Sequence, residues 1–262
     1  MESGRDYSRA DIQAYTIARL IGKDQVIIVG TGLPLVGVSL AKKYFEPSCN
    51  LIVESGLMDC YPFEIPRSVS DLRFMAHCAV PCPPYRYFGF QVNEWLRNSE
   101  RLISFIGGAA VDQYGNVGST CIGDYFHPKL RLPGSGGANG IAVYCDTVII
   151  MQHEKRRFTR DVGYITSPGW LDGPGGRERR GLPGNRGPMM VISDLGVMKF
   201  DEGTKKMYLH GYYPFTTPRE VQEHTGFELD VSRAVILEAP DKKTVRILHE
   251  DIDPEGIFLE PD

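Results

Sequence analysis

The stretch "QVIIVGTGLPLVGVSLAKKYFEPSCNLIVESG", residues 25–56, decides the fold class. Residues 25–30 form a short apolar run that ends in glycine, as a buried strand does. Residues 33–45 follow with apolar positions at helical spacing, and Pro34 sits where a helix tolerates proline, in its first turn. Residues 50–54 are a second apolar run. Strand, helix and strand in this order predict a right-handed βαβ unit in a parallel sheet. The second strand ends on Glu54, and Ser55 and Gly56 break the pattern. A carboxylate at the carboxyl end of a buried strand costs solvation free energy, and ligands of open α/β sheets bind at that edge. Glu54 is therefore the first candidate for chemistry.

Outward from this unit, "SRADIQAYTIARLIG" (8–22) predicts an amphipathic helix with Ser8 and Asp11 as a capping box. Residues 61–85 are rich in Pro and Cys and read as mostly irregular. Strands are expected at 85–92, 101–108 and 147–154, helical turns at 93–99, and a short helix at 138–146. "VDQYGNVGST" (111–120) reads as a hairpin turning at Tyr114-Gly115-Asn116. Residues 188–214 read as antiparallel strands joined by "DEGTKK". Residues 217–230 begin as a helix with Thr217 as cap, and the tail from Lys242 holds one more short element. The expected architecture is α/β: an open, mostly parallel sheet with helices on both faces and an antiparallel annex. At 262 residues we expect a single domain, 1–262.

Composition excludes several classes. A formal net charge of −4 gives no reason to expect a nucleic-acid partner. No apolar run reaches the length of a membrane span, and the polar N-terminus "MESGRDYSRADIQ" has no signal-like core, so a cytoplasmic protein is expected. The six cysteines (Cys49, Cys60, Cys78, Cys82, Cys121 and Cys145) then read as free thiols.

Three glycine clusters compete for chemistry. Gly30 and Gly32 before a helix, with Glu54 ending the next strand, imitate a dinucleotide fingerprint. Leu35 stands where that fingerprint wants its third glycine, and Pro34 removes an amide that a pyrophosphate would use. "GSGGANG" (134–140), opening a short helix, lets backbone N–H groups converge on an oxyanion or a phosphate, or is a tight turn. "GWLDGPGGRERRGLPGNRG" (169–187) brings together Arg177, Arg179, Arg180 and Arg186. It reads as a solvated loop, as recognition of a phosphate or carboxylate, or as a docking surface for another chain. His77, Cys78 and Cys82 have no second ligand pair at metal spacing, so no metal is expected. His153 reads as a structural histidine. Neither a GxSxG elbow nor a P-loop occurs.

The long stretches "VGTGLPLVG", "IVESGLMDCYPFEIPRSVSDLRFMAHC", "GGAAVDQYGNV", "STCIGDYFHPKLRLPGSGGANGIA" and "SPGWLDGPGGRERRGLPG" together resemble the beta subunits of family I CoA-transferases of the glutaconate type. The resemblance runs through nearly the whole chain. It implies the fold shared by CoA-transferases, ribose-5-phosphate isomerase and glucosamine-6-phosphate deaminase. It implies transfer of CoA between carboxylic acids, with Glu54 as nucleophile and a glutamyl-CoA thioester as intermediate. It implies an oxyanion hole from the N–H groups of Gly136, Gly137 and Ala138, with Gly30, Thr31, Gly32, Ser55 and Asn139 near substrate or CoA. It implies a CoA thioester as substrate and no permanently bound cofactor. It also implies an obligate, different alpha subunit as partner, in a hetero-oligomer of two or four alpha–beta pairs. Gly140 departs from relatives that carry Asp at that position. Two other readings stay open on this scaffold. One is a subunit of a CoA-thioester hydrolase or decarboxylase. The other is a ligand-sensing domain, which would have no use for Glu54.

Overall fold

The computed structural model describes residues 6–61, 64–81 and 101–259. The strand expected at 85–92, the helical turns at 93–99 and Cys82 lie outside the described residues. The chain divides into two compact units, one of residues 1–105 and 239–262 and one of residues 106–238.

The first unit opens with helix α1 (Arg9–Leu20), capped by Ser8 and Asp11 in the expected capping box. Strand β1 (Val26–Val29) leads into helix α2 (Leu33–Leu40), which a π turn extends over Ala41–Phe45. Strand β2 (Asn50–Val53) pairs in parallel with β1, as predicted. Then come strand β3 (Leu57–Met58), helix α3 (Leu72–Ala76), strand β4 (Val80–Pro81) and strand β5 (Leu102–Gly107). The strands lie in the order β5-β1-β2-β3-β4, with β5 also parallel to β1. Helix α3 and strand β4 lie in the region rich in proline and cysteine, and β4 pairs antiparallel with β3 just before it.

The second unit begins with two hairpins. Strands β6 (Ala110–Val111) and β7 (Val117–Gly118) form the expected one, with Gly115 at φ +72° in its turn. Strands β8 (Cys121–Gly123) and β9 (Pro128–Arg131) form another, which the sequence pattern does not announce. Helix α4 (Ala138–Tyr144) feeds strand β10 (Asp146–Met151), and helix α5 (Gly176–Arg179) lies in the Gly/Arg segment. Strand β11 (Pro188–Ser193) runs parallel to β10. Strands β12 (Gly196–Phe200) and β13 (Met207–Tyr212) form the antiparallel annex around "DEGTKK". Helix α6 (Pro218–Glu223), capped by Thr217, and strand β14 (Val235–Ile236) complete this unit. The chain then returns to the first unit as helix α7 (Lys242–Ile247) with a π turn over Leu248–Ile252. The open, mostly parallel sheet with helices and antiparallel additions is the fold class that the sequence predicts.

Burial explains why these segments pair. Ile27, Ile28, Val29, Leu51 and Val53 are buried, and the α2 side chains Leu35, Val36, Val38 and Leu40 have no exposed surface. Each such side chain contributes about 1.5–3 kcal/mol when removed from water. Helix α2 packs on α1 through Gly37. A Cβ built on Gly37 would lie 2.6 Å from Ile17 Cβ and 2.7 Å from the Ala14 carbonyl oxygen. Gly37 is thus a helix-packing glycine, not a displaced member of a dinucleotide fingerprint. We expect Gly37→Ala to force α1 and α2 apart and to lower unfolding free energy by about 1–3 kcal/mol. Urea unfolding of the variant checks this, and an unchanged midpoint would contradict the packing argument.

Candidate active site

The predicted residues fall into two sets, one in each unit. In the first unit, the β1–β2 register pairs Val29 with Val53, so Gly30 and Glu54 leave the sheet side by side at its carboxyl edge. The chain reverses at once. Gly56 N–H donates to the Val53 carbonyl at 2.8 Å, and Gly56 adopts φ +90°. Glu54 and Ser55 occupy the two central positions of this turn into β3. Glycine follows because a side chain at that positive φ would be strained. Glu54 is half-buried. Ser55 Oγ is buried and has no hydrogen-bond partner among the described residues. A buried hydroxyl without a partner carries a desolvation cost, which marks the turn as a site under constraint.

Beside Glu54, a Cβ on Gly30 would meet nothing within 4 Å. Gly32, at φ +90°, caps α2, and its carbonyl accepts from Leu35 N–H at 3.0 Å. Thr31 lies between these glycines. The pair thus keeps bulk away from the Glu54 edge and turns the chain into α2. Pro34 in the first turn denies that helix end one amide, as the sequence predicts.

In the second unit, "GSGGAN" is an ordered turn that leads into α4. Gly134 (φ +93°) donates its N–H to the Ser119 carbonyl at 2.9 Å, which ties the segment to the chain just beyond β7. Gly136 adopts φ +53°, and Gly137 is the N-cap. Ala138 N–H donates to the Ser135 carbonyl at 3.0 Å, while Gly136 N–H has no partner among the described residues. Asn139 Oδ1 accepts from Gly140 N–H at 2.7 Å. Gly136 is therefore the least committed of the three predicted donors. Ala138 would have to share its hydrogen with the turn.

The Gly/Arg segment differs from a solvated loop. Arg177 is only 1 % exposed, and Arg186 is buried against the Asp146 carboxylate. Arg179 pairs with Asp172 on the surface. Burial pushes the Arg177 guanidinium down to about 10, as expected for a cation taken out of water. The segment also docks on the β6–β7 hairpin. Asn116 Oδ1 accepts from Gly169 N–H at 2.8 Å and Leu171 N–H at 3.1 Å, and its amide donates to Asp112 Oδ2 at 2.9 Å. Burial raises Asp112 to about 6 against these hydrogen bonds, which act in the opposite direction. The sequence carries a hint of this in the turn "DQYGN", whose Asp and Asn read only as turn formers. The inward course of Arg177 has no side-chain signature.

His153 is the structural histidine that the sequence predicts. It is buried, stacked on Phe158 at 3.9 Å, with Nδ1 2.8 Å from Ser193 Oγ and Nε2 3.0 Å from Thr225 Oγ1. Thr225 already donates to the Val221 carbonyl, so it accepts from Nε2–H. A cleft of about 930 Å³ in this unit is lined by Tyr114, Arg160, Asp201 and Arg233 among others, and none of the predicted site residues reaches it. Among the described residues, no group of three or more His, Cys, Asp or Glu side chains is placed to hold a metal. No helix among them is long and apolar enough to cross a membrane.

Desolvation pushes His153 down to about 4. A folded pKa below the ordinary 6.5 means that stability is present above pH 6.5 and is lost as pH falls through 4. Asp112 has the opposite sign, gaining stability as pH falls from 6 toward 3.8. We expect His153→Gln to flatten the loss of stability on acidification from about pH 7 to about pH 4.5. Urea midpoints at the two pH values measure it, and an equal loss in wild type and variant would contradict the assignment.

A profile of the Coenzyme A transferase family matches residues 11–224. The chain is 60% identical over 255 residues to the B subunit of glutaconate CoA-transferase from Acidaminococcus fermentans, covering 97% of this chain and 96% of that one. It is 34% identical over 230 residues to the B subunit of 3-oxoadipate CoA-transferase from Pseudomonas knackmussii, covering 87% and 86%. The crystal structure of glutaconate coenzyme A-transferase from Acidaminococcus fermentans superimposes with a TM-score of 0.95 at 59% identity, covering 98% of both chains.

Proposed function

This chain belongs to the Coenzyme A transferase family, and from that premise we propose that it is the nucleophile-bearing beta subunit of a two-subunit CoA-transferase acting on acids of the glutaconate and acetate type. The observation that carries the reading is the 60% identity over 97% of the chain to the corresponding subunit of a glutaconate CoA-transferase. Glu54 at the carboxyl edge of β2 gives it a mechanism. The identity to two transferase subunits favours transfer over hydrolysis or decarboxylation on the same scaffold, and over a ligand-sensing domain.

In this reading a Glu54 carboxylate oxygen attacks the thioester carbonyl carbon. The C–S bond breaks, CoA leaves as thiolate, and a mixed anhydride remains. The thiolate then attacks the glutamyl carbonyl, which releases the donor acid and leaves a glutamyl-CoA thioester. An acceptor carboxylate repeats the two steps in the opposite sense and restores Glu54. One thioester is exchanged for another, so little free energy is lost provided that water is kept out. Each tetrahedral species carries an oxyanion, which we assign to the N–H groups of Gly136, Gly137 and Ala138, with Gly136 contributing most. One such donor is worth about 3 kcal/mol. The Ser55 hydroxyl, buried without a partner among the described residues, is a donor for the glutamyl oxygens. Gly30, Thr31, Gly32 and Asn139 leave room for, or contact, the acyl group and CoA. The chain works with a distinct alpha subunit, assembled as two or four alpha–beta pairs, and the CoA thioester is substrate and not a resident cofactor.

Steady-state turnover of the two-subunit complex with Glu54→Asp and Glu54→Gln tests the nucleophile. Aspartate is one methylene short, and a misplacement of about 1 Å costs on the order of 10²-fold. We expect both variants to fall at least that far, with the amide nearly inactive because it cannot form the anhydride. Freshly prepared Glu54→Gln that turns over near the wild-type rate, with no deamidation by mass, would overturn the assignment.

A further inference from the structure

The Gly/Arg segment has no part in the transfer steps, yet it contains Arg177, the bulkiest of the fully buried side chains among the described residues. Its five N–H donors meet five backbone carbonyls. Nε donates to Pro183 at 2.8 Å. Nη1 donates to Pro168 at 3.2 Å and Gly169 at 2.9 Å. Nη2 donates to Ala142 at 3.1 Å and Val143 at 2.7 Å. No carboxylate forms an ion pair with it among the described residues. A buried cation held by carbonyls alone is costly, and it persists only where the fixed fork of the guanidinium is needed.

The carbonyls reached by Nη2 show what is being held. Ala142 and Val143 lie in the last turn of α4, where helix carbonyls have no partner within the helix. Helix α4 continues directly from Gly136-Gly137. The segment is anchored at its start by Gly134 N–H on the Ser119 carbonyl and at its end by Arg177. A helix of seven residues is a rod about 10 Å long, so a shift at one end moves the other. The remaining donors clamp that rod to Pro168, Gly169 and Pro183, and Asn116 ties Gly169 in turn to the β6–β7 hairpin.

We infer that Arg177 is a positioning residue for the acyl site, fixing α4 so that the amides of Gly136 and Gly137 point where the oxyanion develops. The inference rests on reading that segment as the oxyanion hole. Lysine, a point charge with three donors, cannot span five carbonyls.

The test compares Arg177→Lys with Gly137→Val in the two-subunit complex isolated by size exclusion. Gly137 has φ −78° and ψ −9°, a conformation that valine adopts without left-handed strain, and circular dichroism checks that the variant keeps its fold while its side chain blocks the acyl approach. We expect Arg177→Lys to lower kcat by about 10²-fold while KM for the thioester stays within about threefold, because misplaced donors act on the transition state. The double variant should lose less than the product of the two single losses. If Gly137→Val turns over like wild type, the oxyanion reading itself fails. If Gly137→Val is impaired but assembled Arg177→Lys keeps wild-type kcat, the positioning role alone is overturned. Should Arg177→Lys yield no complex, Arg177→Gly assembled with free guanidinium ion replaces it. On dilution of the ion, turnover lost before the complex dissociates supports the inference, and loss of both together overturns it.

Discussion

Two apolar strands paired in parallel must reach the same edge of the sheet, and the pairing of Val26–Val29 with Asn50–Val53 sets what lies there. Val29 and Val53 are partners, so Gly30 and Glu54 emerge together. The strands are buried on both faces, so a slip by one residue would draw the half-buried Asn50 or Glu54 into the packed core. The turn closed by Gly56 N–H on the Val53 carbonyl then holds Glu54 half-buried at the edge. The free energy that fixes the carboxylate comes from burial of Ile27, Ile28, Leu51 and Val53. Strength in the sheet becomes precision at the proposed nucleophile.

The second unit meets a different demand. On the proposed reading, a loop that presents backbone amides to an oxyanion must be open at one point and rigid elsewhere. Glycine supplies the openness at Gly134 and Gly136, where positive φ would strain other residues. Rigidity comes from polar groups that are buried and satisfied: Asp112 with Asn116, Asn116 with Gly169 and Leu171, and Arg177 with five carbonyls. Each group is expensive to bury and more expensive to leave unpaired, so removing one partner strands the next. Such a network favours one arrangement of the loop over its alternatives.

The sequence was legible where side chains carry the signal. The βαβ order, the Ser8–Asp11 capping box, the Thr217 cap and the "DEGTKK" hairpin all follow from periodicity and from residues that accept hydrogen bonds. Strands β3 and β4 escaped because two-residue pairs among prolines have no period to detect. The β8–β9 hairpin escaped because Ile122 and Leu130 are exposed, so alternation does not mark a buried face. Among the candidate residues, Glu54 stood out by its position after an apolar run. Arg177 did not, since four arginines among glycines look alike and its partners are carbonyls, which every residue possesses.

The central claim is that the carboxylate of Glu54 becomes covalently joined to CoA. Intact mass and peptide mapping of the two-subunit complex, after incubation with an acyl-CoA thioester and before any acceptor acid is added, test it directly. A CoA adduct is expected on the peptide that contains Glu54, released by acceptor acid and converted by borohydride to the corresponding alcohol. Transfer on later addition of acceptor acid, from a sample with no adduct on this chain or with the adduct on the alpha subunit, would contradict it.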